Sequence, residues 1–247
     1  MRLLTLLFCI SFFSFSTAQE VNTLLKEAGN FERIQKEKEA LAKYTEVLKM
    51  DSTNSKAFLK SIELLVAASY REDDKKIKKS IAENATLLAT KYWFIDSLSA
   101  DVYYVKALSD YCLSKTDIDN KLKFELLRNT YAEILKSLKM NPNHNRANYV
   151  FGKWHFDIEN QSDVKRVSKL LYGGLPKSDI DTAIFYMEKC KTIDQYYIQN
   201  YVELAKAYQF INRPAQATEL LNKILRLPVR TADDEKWKAE AKKLLDQ

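Results

Sequence analysis

One spacing recurs along this chain: Ala40, Tyr44 and Val47, then Ala183, Met187 and Cys190, then Ala217, Leu221 and Ile224. Each set places a small, a large and a medium apolar residue at i, i+4 and i+7, which is one stripe of a helix. Ala183 and Ala217 lie 34 positions apart, the period of arrays built from paired helices. Such a unit cannot bury its apolar stripe alone and must stack on a neighbour. The chain is therefore expected to be an all-α helical-hairpin solenoid.

Punctuation along the sequence agrees. Only four Gly and four Pro occur in 247 residues, far too few for the turn-rich connections of an all-β fold, so long elements are expected. Residues 1–18 read as a secretory signal: Arg2, an apolar run from Leu3 to Phe15, then Ser16, Thr17 and Ala18. The expected organisation is a leader over 1–18 and one repeat domain over 19–247, secreted or periplasmic. No later apolar run reaches the length that crosses a bilayer. The net charge of +6 is spread among many charges of both signs, as on solvated helix faces, which argues against a nucleic-acid partner.

Phasing from the alanines starts the first unit at Val21, with Leu24, Ala28 and Phe31 on its first helix and Ala40, Tyr44 and Val47 on its second. Asp51 to Asn54 should stop that helix. The stretch 71–120 fits no simple count, since Ala40 to Thr130 spans two periods plus 22 residues; at least one helix there is lengthened or added. Register returns with Leu127, Tyr131, Ile134 and Leu138, ending at Asn141-Pro142. Asn148, Phe151, Gly152 and His155 open the next unit, where Gly152 would let two helix backbones approach closely.

Thr130 to Ala183 exceeds one period by 19 residues. The surplus is assigned to 160–178, as a short helix and a loop around Gly173-Gly174. Ser178 is expected to cap the helix of Ala183, with Asp181 completing a capping box. The last unit carries Tyr201, Leu204, Ala205 and Tyr208, and Pro214 opens its second helix. Thr231 and Asp234 are expected to cap a terminal helix bearing Trp237, Ala241 and Leu244, with Lys and Glu on its outer face.

These positions resemble the tetratricopeptide repeat (TPR), with a large residue at position 4, Leu or similar at 7, small residues at 8 and 20 and an aromatic ring at 11. Position 4 is never Trp here, and the Pro of position 32 is met by Pro142. More narrowly, residues 141–246 resemble the regulator of microtubule dynamics family. That similarity rests on Gly152, Lys153 and Trp154, the loop Leu171 to Pro176, Ala183 to Asp194, Ala205 to Tyr208, and Leu227-Pro228 with Thr231 to Asp234. It implies a helical-repeat adaptor associated with microtubules or membranes, although an exported chain would not meet tubulin.

Motifs for catalysis are missing. There is no Gly-x-Ser-x-Gly, phosphate loop or HExxH, and the carboxylates lie mostly among lysines on helical faces. His155 and Asp157, at i and i+2, do not share a helix face and make no metal site. Cys112 and Cys190 are expected as free core thiols, and no metal or cofactor is expected. The first reading is thus a non-catalytic adaptor that binds an unidentified protein or peptide on its concave face, with Tyr149, Lys153, Gln199 and Lys206 as partner-binding candidates. Positions 2, 5, 6 and 9 of the first helices lack the Lys and Asn pattern of a carboxylate clamp. Two alternatives stay open: a small-molecule-binding component of an uptake system with a pocket at Gly173-Gly174, and a cytoskeleton-associated adaptor if residues 1–18 are retained.

Overall fold

The computed structural model describes the backbone of residues 2–246 and the side chains of residues 18–246 other than Ser162. Among them are twelve helices and no strand: α1 (Arg2–Arg33), α2 (Glu37–Met50), α3 (Ser55–Arg71), α4 (Lys75–Ile95), α5 (Ala100–Leu113), α6 (Asn120–Met140), α7 (Asn145–Asn160), α8 (Ser162–Leu171), α9 (Ile180–Ile193), α10 (Ile198–Phe210), α11 (Pro214–Arg226) and α12 (Asp234–Leu245). The first helix does not begin at Val21 but is continuous with the segment before it. The side chains of residues 1–17, on which the leader expectation rests, lie outside the described residues. No described helix is long and apolar enough to cross a membrane.

Helices pair as α1·α2, α3·α4, α5·α6, α7·α9 and α10·α11, and α12 packs on α10 and α11. The residues that set the period form the seams. Ala40, Tyr44 and Val47 are fully buried, as are Ala183, Met187 and Cys190, and Ala217, Leu221 and Ile224 are at most 1% exposed. A small residue at the crossing admits the large side chain of the facing helix, so the triplet works as a unit. The surplus in 71–120 goes into α4, which runs to 21 residues, and α6 is equally long. The surplus in 160–178 becomes α8 and its loop, where Gly173 and Gly174 take φ of 74° and 86°, a conformation suited to glycine.

Side-chain caps set the starts of six of the twelve described helices. Asn54, Asp74, Ser99 and Asp119 accept from backbone N–H groups in the first turns of α3 to α6. Two expected caps are corrected. The cap of α9 is Asp179, whose carboxylate accepts from the Thr182 backbone N–H at 2.7 Å and from its hydroxyl at 2.6 Å. Ser178 instead donates to Glu159 at 2.5 Å. Ahead of α12 the roles are reversed: the Asp234 carboxylate accepts from the backbone N–H groups of Arg230 and Thr231 and from the Thr231 hydroxyl. Asp234 thus closes the preceding turn, and Thr231 caps nothing.

Candidate functional site: the inner face

The first helix of each pair, α1, α3, α5, α7 and α10, together with α12, forms one continuous inner face, crossed by a ladder of polar contacts. Tyr44 donates to Glu32 at 2.5 Å, Lys60 sits between Glu32 at 3.3 Å and Glu63 at 3.1 Å, and Glu63 accepts from the Tyr104 hydroxyl at 3.1 Å. Further along, Asp157 accepts from the Tyr111 hydroxyl at 2.5 Å and from Lys115 at 2.7 Å, and its other oxygen takes Lys153. Lys153 also reaches Glu203 at 3.2 Å, and Lys206 spans Glu203 at 3.7 Å and Glu240 at 3.3 Å.

Acids and bases alternate in this ladder, so its charges compensate one another. Burial alone would raise the Asp157 carboxyl, but the ammonium groups of Lys153 and Lys115 outweigh it and bring the pKa down to about 2. Lys153 is held above the usual lysine range: burial opposes its charge, and Glu203 and Asp157 more than offset that. Among the inner-face tyrosines, burial pushes the phenols of Tyr104, Tyr111 and Tyr149 well above their ordinary value. They stay neutral hydrogen-bonding groups at any physiological pH.

The sequence candidates fall on this face with different exposures. Tyr149 is buried, at 7% exposure. The rings of Tyr149 and Tyr197 meet edge-on at 4.9 Å, and the Arg146 guanidinium lies 3.5 Å from the centre of the Tyr197 ring. Gln199 is half-buried and accepts from the Tyr197 hydroxyl at 3.0 Å. Lys153 and Lys206 are drawn together by Glu203, which is 5% exposed. Sequence reasoning missed Arg146, Asp157, Tyr197 and Tyr70, the last of which exposes 38% of its surface. The i,i+4 spacing of Lys153 and Asp157 and the i,i+3 spacing of Glu203 and Lys206 were the available signals.

Away from this face, His155 packs among Tyr131, Phe151 and Trp154. Its Nδ1 accepts from the Asp179 backbone N–H at 3.2 Å, which leaves the proton on Nε2, and among the described residues Nε2 has no partner. Burial brings this imidazole down to about pKa 4, despite Asp179 and Glu159 nearby. An open recess of about 400 Å³ adjoins it, with Tyr131, Tyr186 and Lys177 among its walls, but neither Gly173 nor Gly174 lines that recess. Among the described residues no group of three or more His, Cys, Asp or Glu is placed to hold a metal. Cys112 and Cys190 are buried and unbridged, and burial raises both thiols, Cys190 to about 12.

Comparison with known proteins accounts for this architecture. A TPR protein of Thermus thermophilus superposes with a TM-score of 0.66 at 12% identity, over 92% of this chain and all of that one, a likeness of fold. Regulator of microtubule dynamics protein 1 of Caenorhabditis elegans is 27% identical over 113 residues, 45% of this chain and 50% of that protein. The Homo sapiens protein of the same name is 26% identical over 174 residues, 68% of this chain and 50% of its own length. The chain thus spans about half the length of the relatives it matches. The family model for regulator of microtubule dynamics proteins 1–3 matches residues 24–247, well beyond the carboxy-terminal part where the motifs were read. With all but the first 23 residues inside that match, the chain belongs to the regulator of microtubule dynamics 1–3 family.

Proposed function

We propose that the chain is a non-catalytic adaptor that binds a protein or peptide on its inner face. The observation that carries this reading is the set of aromatic and polar side chains that this face gathers. Tyr70 stands 38% exposed, Gln199 and Lys206 are half-buried, and Arg146 and Tyr197 form a stacked pair beside them. Tyr and Arg concentrate binding energy because they offer large area and hydrogen bonds at little entropic cost. Affinity capture from the native compartment with the wild-type chain, Tyr70→Ser and Gln199→Ser tests it. Recovery of a partner should fall in both variants and persist in Leu87→Ser, a change on the outer face at a residue 70% exposed. Recovery unaffected by either inner-face change would refute the reading.

Export to a periplasmic or extracellular compartment is the setting we favour, on the strength of Arg2, the apolar run Leu3 to Phe15 and the small residues that follow. The family name supports a second setting, a cytoskeleton-associated adaptor, if residues 1–18 are retained. Sequencing the amino terminus of the native protein separates the two: a start at Gln19 supports export, and an intact Met1 supports the second.

A further inference from the structure

The surplus in residues 160–178 sets α9 down after α8 and its loop rather than directly after α7. Where the chain returns, an open recess of about 400 Å³ lies between α6, α7 and the start of α9. Rings make most of its wall: Tyr131 from α6, Phe151 and His155 from α7 and Tyr186 from α9. Phe151 meets Tyr186 at 4.7 Å and Tyr131 at 5.4 Å between ring centres, so the wall is packed on itself. Lys177 and Asp179 add one charge of each sign, and the recess as a whole favours neither an anion nor a cation.

His155 brings the unsatisfied group to this wall. Its imidazole is 3% exposed and reaches from α7 to the start of α9, where Nδ1 accepts from the Asp179 backbone N–H. Nε2 stands at the far end of the side chain, one carbon from Nδ1, at the end of the ring that meets Asp179 and the recess. Its proton finds no protein acceptor among the described residues, and the atom is sealed from water. The rings of Tyr131, Phe151 and Trp154 stand edge-on to the imidazole with centres 4.6 to 6.0 Å away, and offer an N–H at most a weak π contact. A buried donor left without an acceptor is costly. Burial also keeps this imidazole neutral down to about pH 4, so what it presents is one N–H and no charge.

We propose that the recess between α6, α7 and α9 binds a neutral planar ring compound whose ring nitrogen or carbonyl accepts the Nε2 proton of His155. The ring is planar because the wall is aromatic and pairs best with another flat ring, offset or edge-on. It is neutral because Lys177 and Asp179 cancel, and it carries an acceptor because that is the group His155 lacks. A recess of about 400 Å³ stands toward the small end of ligand pockets and has room for one or two fused rings. Tyr131 is half-buried, and a turn of its ring is the movement that uncovers Nε2 as the ligand enters. The site lies away from the inner face and does not rest on the adaptor reading.

Quinoline and naphthalene test this on the full chain at neutral pH, since the two differ by one ring nitrogen that accepts a hydrogen bond. NMR titration of the wild type with quinoline should move the Nε2–H signal of His155, and naphthalene should leave that proton without an acceptor and its signal near its free position. His155→Phe keeps a ring and removes the proton, so the ratio of quinoline to naphthalene affinity should fall about tenfold, the effect of one hydrogen bond to a donor otherwise unmade. Tyr186→Ala should weaken both compounds alike. Gln199→Ser, on the inner face, should change neither.

Quinoline-2-carboxylate reads the charge: it should bind no more tightly than quinoline, and tighter binding overturns the neutral class. An Nε2–H signal that quinoline leaves in place, or an affinity ratio unchanged in a folded His155→Phe, overturns the site. The wild-type signal decides the matter even where His155→Phe does not fold. No arm uses a protein partner, so the recess stands or falls apart from the capture experiment.

Discussion

A Cβ placed on Gly152 of α7 would stand 2.9 Å from the carbonyl oxygen of Ala183 on α9, and 2.7 Å from Met187 Cγ. The Met187 side chain can swing aside; a backbone carbonyl inside a helix cannot. Gly152→Ala should therefore push α7 and α9 apart. Its gain in helix propensity, about 1 kcal/mol, is outweighed by the overpacking, for a net loss of about 1–3 kcal/mol and a melting temperature lower by several degrees. Gly29, whose added Cβ would meet nothing within 4 Å, is the control: Gly29→Ala should stabilise slightly. Thermal melts of the two variants check both signs.

Acid should weaken the fold through His155. In the unfolded chain this imidazole takes its proton near pH 6.5, whereas the buried ring holds out to about 4. Unfolding thus takes up a proton between these values. The contribution is complete above pH 6.5, is lost as pH falls from 6.5 to 4, and amounts to about 3 kcal/mol. Urea midpoints measured from pH 7 to pH 4.5 should decline, and His155→Gln should flatten that decline. An unchanged slope in the variant would assign the loss to another group.

Replacing Asp157 should be costly, because three neighbours depend on it. Asp157→Asn would leave Lys153 and Lys115 without their shared counter-charge in a site where the carboxylate is only 11% exposed. Both lysines keep part of their surface in water, so the loss is set at about 2 kcal/mol rather than the larger cost of a fully buried pair. The depressed carboxyl implies that the wild-type contribution persists above pH 4 and fades as pH falls toward 2. Chemical denaturation at pH 7 and pH 3 should show a difference between the two proteins that shrinks in acid.

The cap of α9 gives a comparison between adjacent residues. Asp179→Ala removes the acceptor of the Thr182 backbone N–H and hydroxyl and should cost about 1 kcal/mol. Its signature is faster amide exchange in the first turn of α9. Ser178→Ala removes only the hydrogen bond to Glu159 and should leave that turn's exchange unaltered.

The seams were legible because the period is carried by residues whose burial it directly reports. Ala40, Tyr44 and Val47 are spaced for one stripe, and all three are sealed. Gly152 was legible for the same reason: its place in the repeat fixes which helix it must meet. Caps were less so. Ser178 and Asp179 are both competent acceptors, and what decides between them is Glu159, which lies 19 positions away and takes the Ser178 hydroxyl. His144 reads as a polar turn residue, yet its ring caps α7 through the Ala147 N–H and meets Asp101 at 2.9 Å. The inner face was least legible. Tyr149 occupies a position that would be open in a flat array, but Tyr197 closes over it, and local periodicity carries no record of how tightly an array curves.

An array whose second hairpin touches the turn before its last helix, as Arg71 touches Asp233, has a fixed number of units between them. An open stack can lengthen by duplicating a hairpin, because each unit contacts only its neighbours. One more hairpin here would carry Asp233 out of reach of Arg71, so new sequence must enter sideways, by stretching helices or bulging loops. The 21-residue α4 and α6 and the α8 insertion have that form: additions that leave the contact between Arg71 and Asp233 intact.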